Sequence, residues 1–492
     1  MDTKAILPYD NTNPLSIEKY AKQLIGMTFA QVLKSEILQR QNADNNVHTQ
    51  DSYYYESKAA KGSLGHLLEQ YYFHYNINSD SDADFSEAGV ELKATPFKKN
   101  KNGSYSAKER LVITMIDYLK IIDENFYDSH LWKKCNLILL IYYEYIKALV
   151  KLDYTIKYVQ LFHPPEEDLK IIQQDYQCII EKIKAGKAHE LSEGDTLYLG
   201  ACTKGATAVT SIREQPFSDI KAKQRAFCFK TSYMTYVLNN YIIPGVQTYS
   251  GKLEKIQYKG NFIDFVTNSI NSKIGYSVAD LLKEYNITYS KRAKNLESRL
   301  VFNILGIKSN NAEEFVKAGI VVKTIRFESD DKLKETVSFP AFEFMKLAQE
   351  QWEDAEINNY LSETKFLFVC FKKDKEYDQY AKNKDYAGMD RHLRLYFAAF
   401  WNMPQKDIDE EVHICWQRTK NVILNGIKIT AVGNRRLNNF PKISESRVCH
   451  VRPHARTKND TFPLPGGGAY TKQSFFLNNT YVREQILKYK PK

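Results

Sequence analysis

Apolar residues recur along the first part of the chain with two different periods. Leu64, Leu67, Leu68, Tyr71 and Tyr72 follow the i, i+3, i+4, i+7, i+8 spacing of an amphipathic helix. Residues 90–95 alternate as a half-buried strand does, and Pro96, which has no backbone donor, is expected to stop that strand. Residues 111–114 and 137–143 are further strand candidates. The latter is the most apolar stretch of the chain, but Glu144 and Lys147 interrupt it, and it is too short to cross a bilayer. Helix and strand alternate, which predicts a mixed α/β fold.

The pattern then returns. Residues 24–34 resemble residues 273–283, residues 88–97 resemble residues 318–327, and residues 223–227 answer residues 472–476. Three matches in the same order at similar spacing predict two copies of one α/β module. Between them lies a turn-rich segment, Ile243-Pro244-Gly245-Val246-Gln247-Thr248-Tyr249-Ser250-Gly251. The expected organisation is one domain over residues 1–243, a linker over 244–255 and a second domain over 256–492.

Composition narrows the class. With 492 residues, 43% hydrophobic and 26% charged, each half is long enough to bury a core of its own. A formal charge of +10 fits a polyanionic partner such as nucleic acid. The seven cysteines are dispersed, with no Cys-x-x-Cys pair, so reduced thiols in a cytoplasmic protein are expected rather than a disulfide framework. Cys449, His450 and His454 lack a second cysteine at zinc-site spacing. Residues 1–14 are polar and carry no apolar signal core, and no membrane association is expected.

The candidate chemistry lies in the first module. Asp84, Glu91 and Lys93 form an Asp-x6-Glu-x-Lys pattern. Residues two apart in a strand share a face, so Glu91 and Lys93 project together while Val90, Leu92 and Ala94 turn to the core. If Asp84 enters from the preceding turn, two carboxylates and an ammonium converge. Phosphodiester hydrolysis calls for that grouping: hard oxygen ligands for Mg²⁺, and a lysine that orients or helps deprotonate the attacking water. Without a divalent cation the carboxylates would repel a phosphate. Glu69, on the edge of the predicted helix, supplies a third carboxylate. Aligning the two modules sets Glu91 against Val321, Glu69 against Val301, Asp84 against Glu314 and Lys93 against Lys323. Two of three acids are replaced by valine, so the second module is expected to be catalytically dead.

Residues 61–69 and 84–93 together resemble the active-site region of the MutH mismatch-repair nicking endonucleases. The whole chain, with one intact and one degenerate module, resembles the Sau-type type II restriction endonucleases that cut at GATC. Residues 108–112, 189–194, 202–206 and 450–454 extend the likeness over nearly the full length. The resemblance implies two tandem restriction-endonuclease-like modules, each a mixed sheet flanked by helices. It implies Asp84 and Glu91 as metal ligands, Lys93 as catalytic lysine and Glu69 as accessory acid. A further lysine precedes the strand at 137–143; Lys133 and Lys134 both stand there, and Lys134 is favoured. Lys61 and Gly62 match a DNA-contacting loop, while Thr203, Lys204, Lys223, Arg225 and Lys230 match segments that read the major groove. MutH enzymes carry an arginine and a proline just before the recognition-loop lysine, where this chain has Cys202 and Thr203. In the second module His450, Arg452 and His454 are the candidate contacts. The implied protein is an Mg²⁺-dependent enzyme cutting double-stranded DNA, a monomer in isolation that pairs transiently on DNA, with the second module as effector. A methylation-directed nicking enzyme and a non-catalytic two-module DNA-binding protein are the alternatives.

Overall fold

The computed structural model describes residues 7–41, 63–75, 82–204, 211–253, 261–433 and 435–491. The chain divides into two compact units, Met1–Thr248 with Val316–Ala318, and Tyr249–Phe315 with Gly319–Lys492.

The first unit holds strands β1 (Glu91–Lys99), β2 (Tyr105–Ala107), β3 (Leu111–Met115), β4 (Ile138–Glu144), β5 (Ile156–Phe162), β6 (Leu199–Thr203), β7 (Ile212–Gln215), β8 (Ser218–Lys223) and β9 (Arg225–Phe229). One sheet runs β2-β1-β4-β5, with β1 parallel to β4 and the other pairs antiparallel. A second sheet runs β3-β9-β6, and β7 and β8 form a hairpin. The apolar run in β4 is buried from Ile138 to Tyr142, as a central strand covered on both faces requires. The helical spacing predicted from Leu64 to Tyr72 is realised as an α-helix, Ser63–Leu67, that continues as a π-helical turn, Leu68–Tyr72. Its apolar stripe packs with Val90, Leu92, Leu139 and Ile141 in one core.

Pro96 does not stop the strand as expected. β1 continues through it to Lys99, and Pro96 pairs in register with Tyr143. The reason lies in which side its nitrogen faces. In a strand the N and C=O of one residue point the same way, and the Pro96 carbonyl accepts from the Lys108 N–H (3.0 Å), so its nitrogen faces away from β4. The parallel β1–β4 ladder is bonded through the neighbouring residues, such as the Phe97 carbonyl that accepts the Tyr145 N–H at 2.8 Å, and needs no donor from Pro96.

The second unit holds β10 (Ile320–Phe327), β11 (Val337–Phe342), β12 (Lys365–Lys373), β13 (Leu393–Trp401), β14 (Ile429–Val432), β15 (Arg435–Asn438), β16 (Cys449–Pro453), β17 (Thr461–Pro463), β18 (Ala469–Thr471) and β19 (Gln473–Leu477). One sheet runs β10-β12-β13, parallel then antiparallel, and another runs β11-β19-β16.

Local detail repeats between the units. In the first, Gly26 (φ +91°) donates its N–H to Ile156 O at 2.8 Å, and Ile156 N–H returns to Met27 O at 2.9 Å. In the second, Gly275 (φ +87°) donates to Leu395 O at 2.8 Å, and Leu395 N–H returns to Tyr276 O at 2.9 Å. Glycine is required by the backbone angle, since an added Cβ at either position would meet nothing within 4 Å. Gly89 (φ +64°) and Gly319 (φ +61°) stand just before β1 and β10. Among the described residues no helix is long and apolar enough to cross a membrane.

Candidate active site

The site gathers at the start of β1. Phe85 and Val90 pair across a tight turn, with N–H···O distances of 2.9 Å and 3.2 Å, and Gly89 supplies the left-handed residue that closes it. That turn folds Asp84 back beside the strand, where its Oδ2 accepts the Leu92 N–H at 2.8 Å. The Glu91 side chain, 2% exposed, therefore lies next to a second carboxylate. Two ammonium groups answer it. Lys93 Nζ donates to Glu91 Oε1 at 2.6 Å, and Lys134 Nζ approaches Oε2 at 3.3 Å.

Lys134 reaches the site because its helix, His130–Cys135, ends just before β4, the parallel partner of β1, with Glu91 opposite Ile138. Ser129 caps that helix by accepting the Trp132 N–H at 3.1 Å. The two lysines that share the helix end separate: Lys133 pairs with Asp82 at 3.2 Å, on the outside.

Glu69 completes the group from the π-helical turn. Burial raises its pKa, the negative charge of Asp84 adds to the rise, and together they push it up to about 7 against the opposing pull of Lys93. Asp84 is also raised, first by burial and then by Glu91. Glu69, Asp84, Glu91, Lys93 and Lys134 thus form one electrostatic cluster, in which burial together with like charge outweighs the two cations at Glu69 and Asp84. Among the described residues no three His, Cys, Asp or Glu side chains close around a point tightly enough to cage a metal ion. A hydrated Mg²⁺ needs less than a cage, since it is usually held by one or two carboxylates and keeps several waters.

Two residues here carry no motif in the sequence. His66, half-buried, is lowered in pKa by burial and by Lys93. Tyr75 lies in the field of Asp84, Glu69 and Glu91. His66 lies within the MutH-like stretch 61–69 but at no diagnostic spacing, and Tyr75 lies outside both quoted stretches, so neither is singled out by the sequence.

The expected DNA-reading residues divide. Thr203 and Lys204 are exposed at the end of β6, where Lys204 N–H donates to Gln224 O at 2.8 Å, and Lys223 is exposed at the end of β8. Arg225 and Lys230 are corrections. Arg225 is 2% exposed and donates from Nη1 to Ala201 O at 2.6 Å; Lys230 is 0% exposed and donates to Thr196 O at 2.5 Å. Both bind backbone carbonyls inside the unit instead of facing a duplex. His450 is likewise buried, its Nδ1 2.6 Å from Asn478 Oδ1, while Arg452 is exposed. Lys61 and Gly62 lie outside the described residues.

In the second unit, the positions that the sequence comparison sets against Glu69 and Glu91 are valines. Val301 is fully buried and Val321 packs against the core. Lys323 Nζ donates to Ser338 O at 3.0 Å, and Glu314 accepts the Leu253 N–H at 3.2 Å. The β10–β12 register sets Val321 opposite Phe366 as Glu91 is opposite Ile138, which places Ser362 where the first unit has Lys134.

An acid–lysine cluster at the head of a parallel strand pair, on a mixed α/β scaffold, belongs to a DNA-cutting nuclease, and residues 73–175 match the family model described as DNA mismatch repair enzyme MutH. Over 472 residues the chain is 39% identical to the type II restriction enzyme Sau3AI of Staphylococcus aureus, an alignment spanning 87% of this chain and 93% of the relative. The chain belongs to that restriction enzyme's family and is a site-specific deoxyribonuclease. It is also similar to the DNA mismatch repair protein MutH of Vibrio vulnificus (strain YJ016), 26% identical over 227 residues, 45% of this chain and 90% of that protein. The MutH of Vibrio campbellii is 24% identical over 190 residues, 38% and 81% respectively.

Proposed function

We propose that this restriction endonuclease cuts double-stranded DNA at GATC by Mg²⁺-dependent hydrolysis, using Glu69, Asp84, Glu91, Lys93 and Lys134. The observation that carries the reading is their convergence from a turn, a strand and two helices. Asp84 and Glu91 are the residues that would hold Mg²⁺, and the upward push on Asp84 and Glu69 marks a negative cluster that a divalent cation would relieve. When bound, the ion supplies a Lewis acid for the phosphoryl group and the leaving oxygen. Lys93 orients the attacking water and favours its deprotonation. Lys134 holds the far oxygen of Glu91 and so keeps that carboxylate turned into the site. Glu69 accepts a hydrogen bond from site water. Thr203, Lys204 and Lys223 offer exposed donors for duplex contact, and the GATC specificity follows the family likeness. Lys61 and Gly62 are assigned to the DNA-contacting loop on that likeness alone.

Residues 1–243 are the cutting domain in this reading, 244–255 the linker, and 256–492 a degenerate copy that binds a second site as effector. The paired glycine contacts and the shared sheet orders support duplication, and the valines at 301 and 321 support loss of chemistry. The protein is a monomer in isolation and pairs transiently on DNA.

The test is digestion of supercoiled plasmid with purified protein and Mg²⁺, followed by sequencing of the new ends. Ends at GATC are expected, with cleavage at least about 100-fold slower for Glu91→Gln and for Lys93→Met. Intact plasmid, or ends scattered over unrelated sequences, would refute the reading.

A further inference from the structure

Tyr75 is bound into the same locality by three independent features. Its N–H donates to the Glu69 carbonyl at 3.1 Å, which ties it to the end of the helix that carries the Glu69 carboxylate. Its ring meets Phe85 edge-on at 5.3 Å and 72°, beside Asp84. Its hydroxyl is buried and has no hydrogen-bond partner, although it feels the charges of Asp84, Glu69 and Glu91 in that order after burial itself.

Buried hydroxyls are nearly always satisfied. This one faces an anionic cluster that offers several acceptor oxygens, yet touches none of them. The chemistry of the surroundings selects water as a mediator: a phenol on one side able to donate, carboxyl oxygens on the other able to accept. Burial and the neighbouring carboxylates both keep the phenol protonated, so it acts as a donor and not as a base.

We propose that Tyr75 is a positioning residue of the nuclease site, whose O–H donates to a water that in turn donates to Asp84 and Glu69. A water held in that way has one lone pair left, free for the cation these carboxylates would hold. The proposal rests on reading the carboxylates as the metal-holding group. Tyr75 fixes the carboxylates' hydration before DNA arrives, in the manner of the outer hydrogen bonds that orient metal ligands elsewhere, whose loss typically costs about 10–100-fold in metal affinity or activity.

Tyr75→Phe removes only the hydroxyl and leaves the edge-on contact with Phe85. Full-length protein is titrated with Mn²⁺ in the absence of DNA, followed by electron paramagnetic resonance, and plasmid cleavage is measured in saturating Mg²⁺. The expected result is Mn²⁺ binding weakened about 10-fold, a lower kcat, an unchanged KM for DNA, and a metal-free thermal midpoint equal to the parent's. Glu91→Gln is run beside it. Parent-like Mn²⁺ affinity in Tyr75→Phe, with Glu91→Gln inactive, overturns the role of Tyr75 and leaves the site assignment standing. A lowered thermal midpoint with parent-like Mn²⁺ affinity also overturns it, since the hydroxyl would then serve the fold alone. Parent-like cleavage and Mn²⁺ binding by Glu91→Gln overturn the assignment of the site itself.

Discussion

Glu91 sits 1% exposed with an ammonium on each of its oxygens, whereas at Glu69 burial and the charge of Asp84 act more strongly than the pull of Lys93. The difference gives the metal-free protein a pH dependence whose sign is fixed. The Glu69 carboxyl is pushed up to about 7 in the folded chain, against an ordinary glutamate value of 4.5 when unfolded. The folded state therefore holds the proton more tightly, and this group's contribution to stability falls as pH rises from about 4.5 to about 7, then levels. Glu69→Gln cannot ionise and escapes that fall. Urea midpoints in chelator at pH 5 and pH 8 should show the variant gaining on the parent at the higher pH; an equal offset at both would contradict it. At this scale the sequence was legible where geometry is periodic. Glu91 and Lys93 share a face because strands repeat every two residues, and the two-valine replacement in the second module stood out on alignment. Between Lys133 and Lys134 only the family likeness favours Lys134, because both end one short helix and the tertiary turn decides which faces inward. Arg225 and Lys230 read as surface residues, but a buried cation with a backbone carbonyl to hold leaves the same trace in a sequence as an exposed one.

At the scale of elements, the turn between Asp84 and β1 sets the site. Gly89 is left-handed there with open space around its absent Cβ, so a substitution costs backbone strain rather than a clash. Gly89→Val is expected to lower stability by about 1–2 kcal/mol, measured by urea denaturation. It should also reduce cleavage in protein that remains folded, because the Asp84 hydrogen bond to Leu92 depends on the same turn; Gly89→Asn should keep more of both. The helix over Leu64 to Tyr72 was readable from its apolar spacing, but its change to a π-helical turn at Leu68 was not. One extra residue per turn alters which side chains lie beside the strand without altering the run of apolar positions. Pro96 misled for a related reason. A proline interrupts pairing only on the side its nitrogen faces, and the sequence does not say that the parallel partner β4 takes the other side.

At the scale of the whole molecule, two units that share a parallel-then-antiparallel strand order, β1-β4-β5 and β10-β12-β13, differ where chemistry is proposed. Restoring a single acid should not reverse that difference. The variant carrying Glu91→Ala and Val321→Glu is expected to leave plasmid uncut over the range where the parent digests it fully, because Val301 and Ser362 stand where the first unit has Glu69 and Lys134, and Lys323 is held by Ser338. Measurable cutting by the double variant would show that the second unit retains more of the site than its side chains indicate. The valine at position 321 has a further consequence. A duplex has two backbones of opposite polarity, and one acid–lysine cluster can engage one scissile bond at a time. On the proposed reading, in which only the first unit cuts, a single copy parts one strand at a time, and severing both takes a turn of the enzyme on its DNA or a second copy.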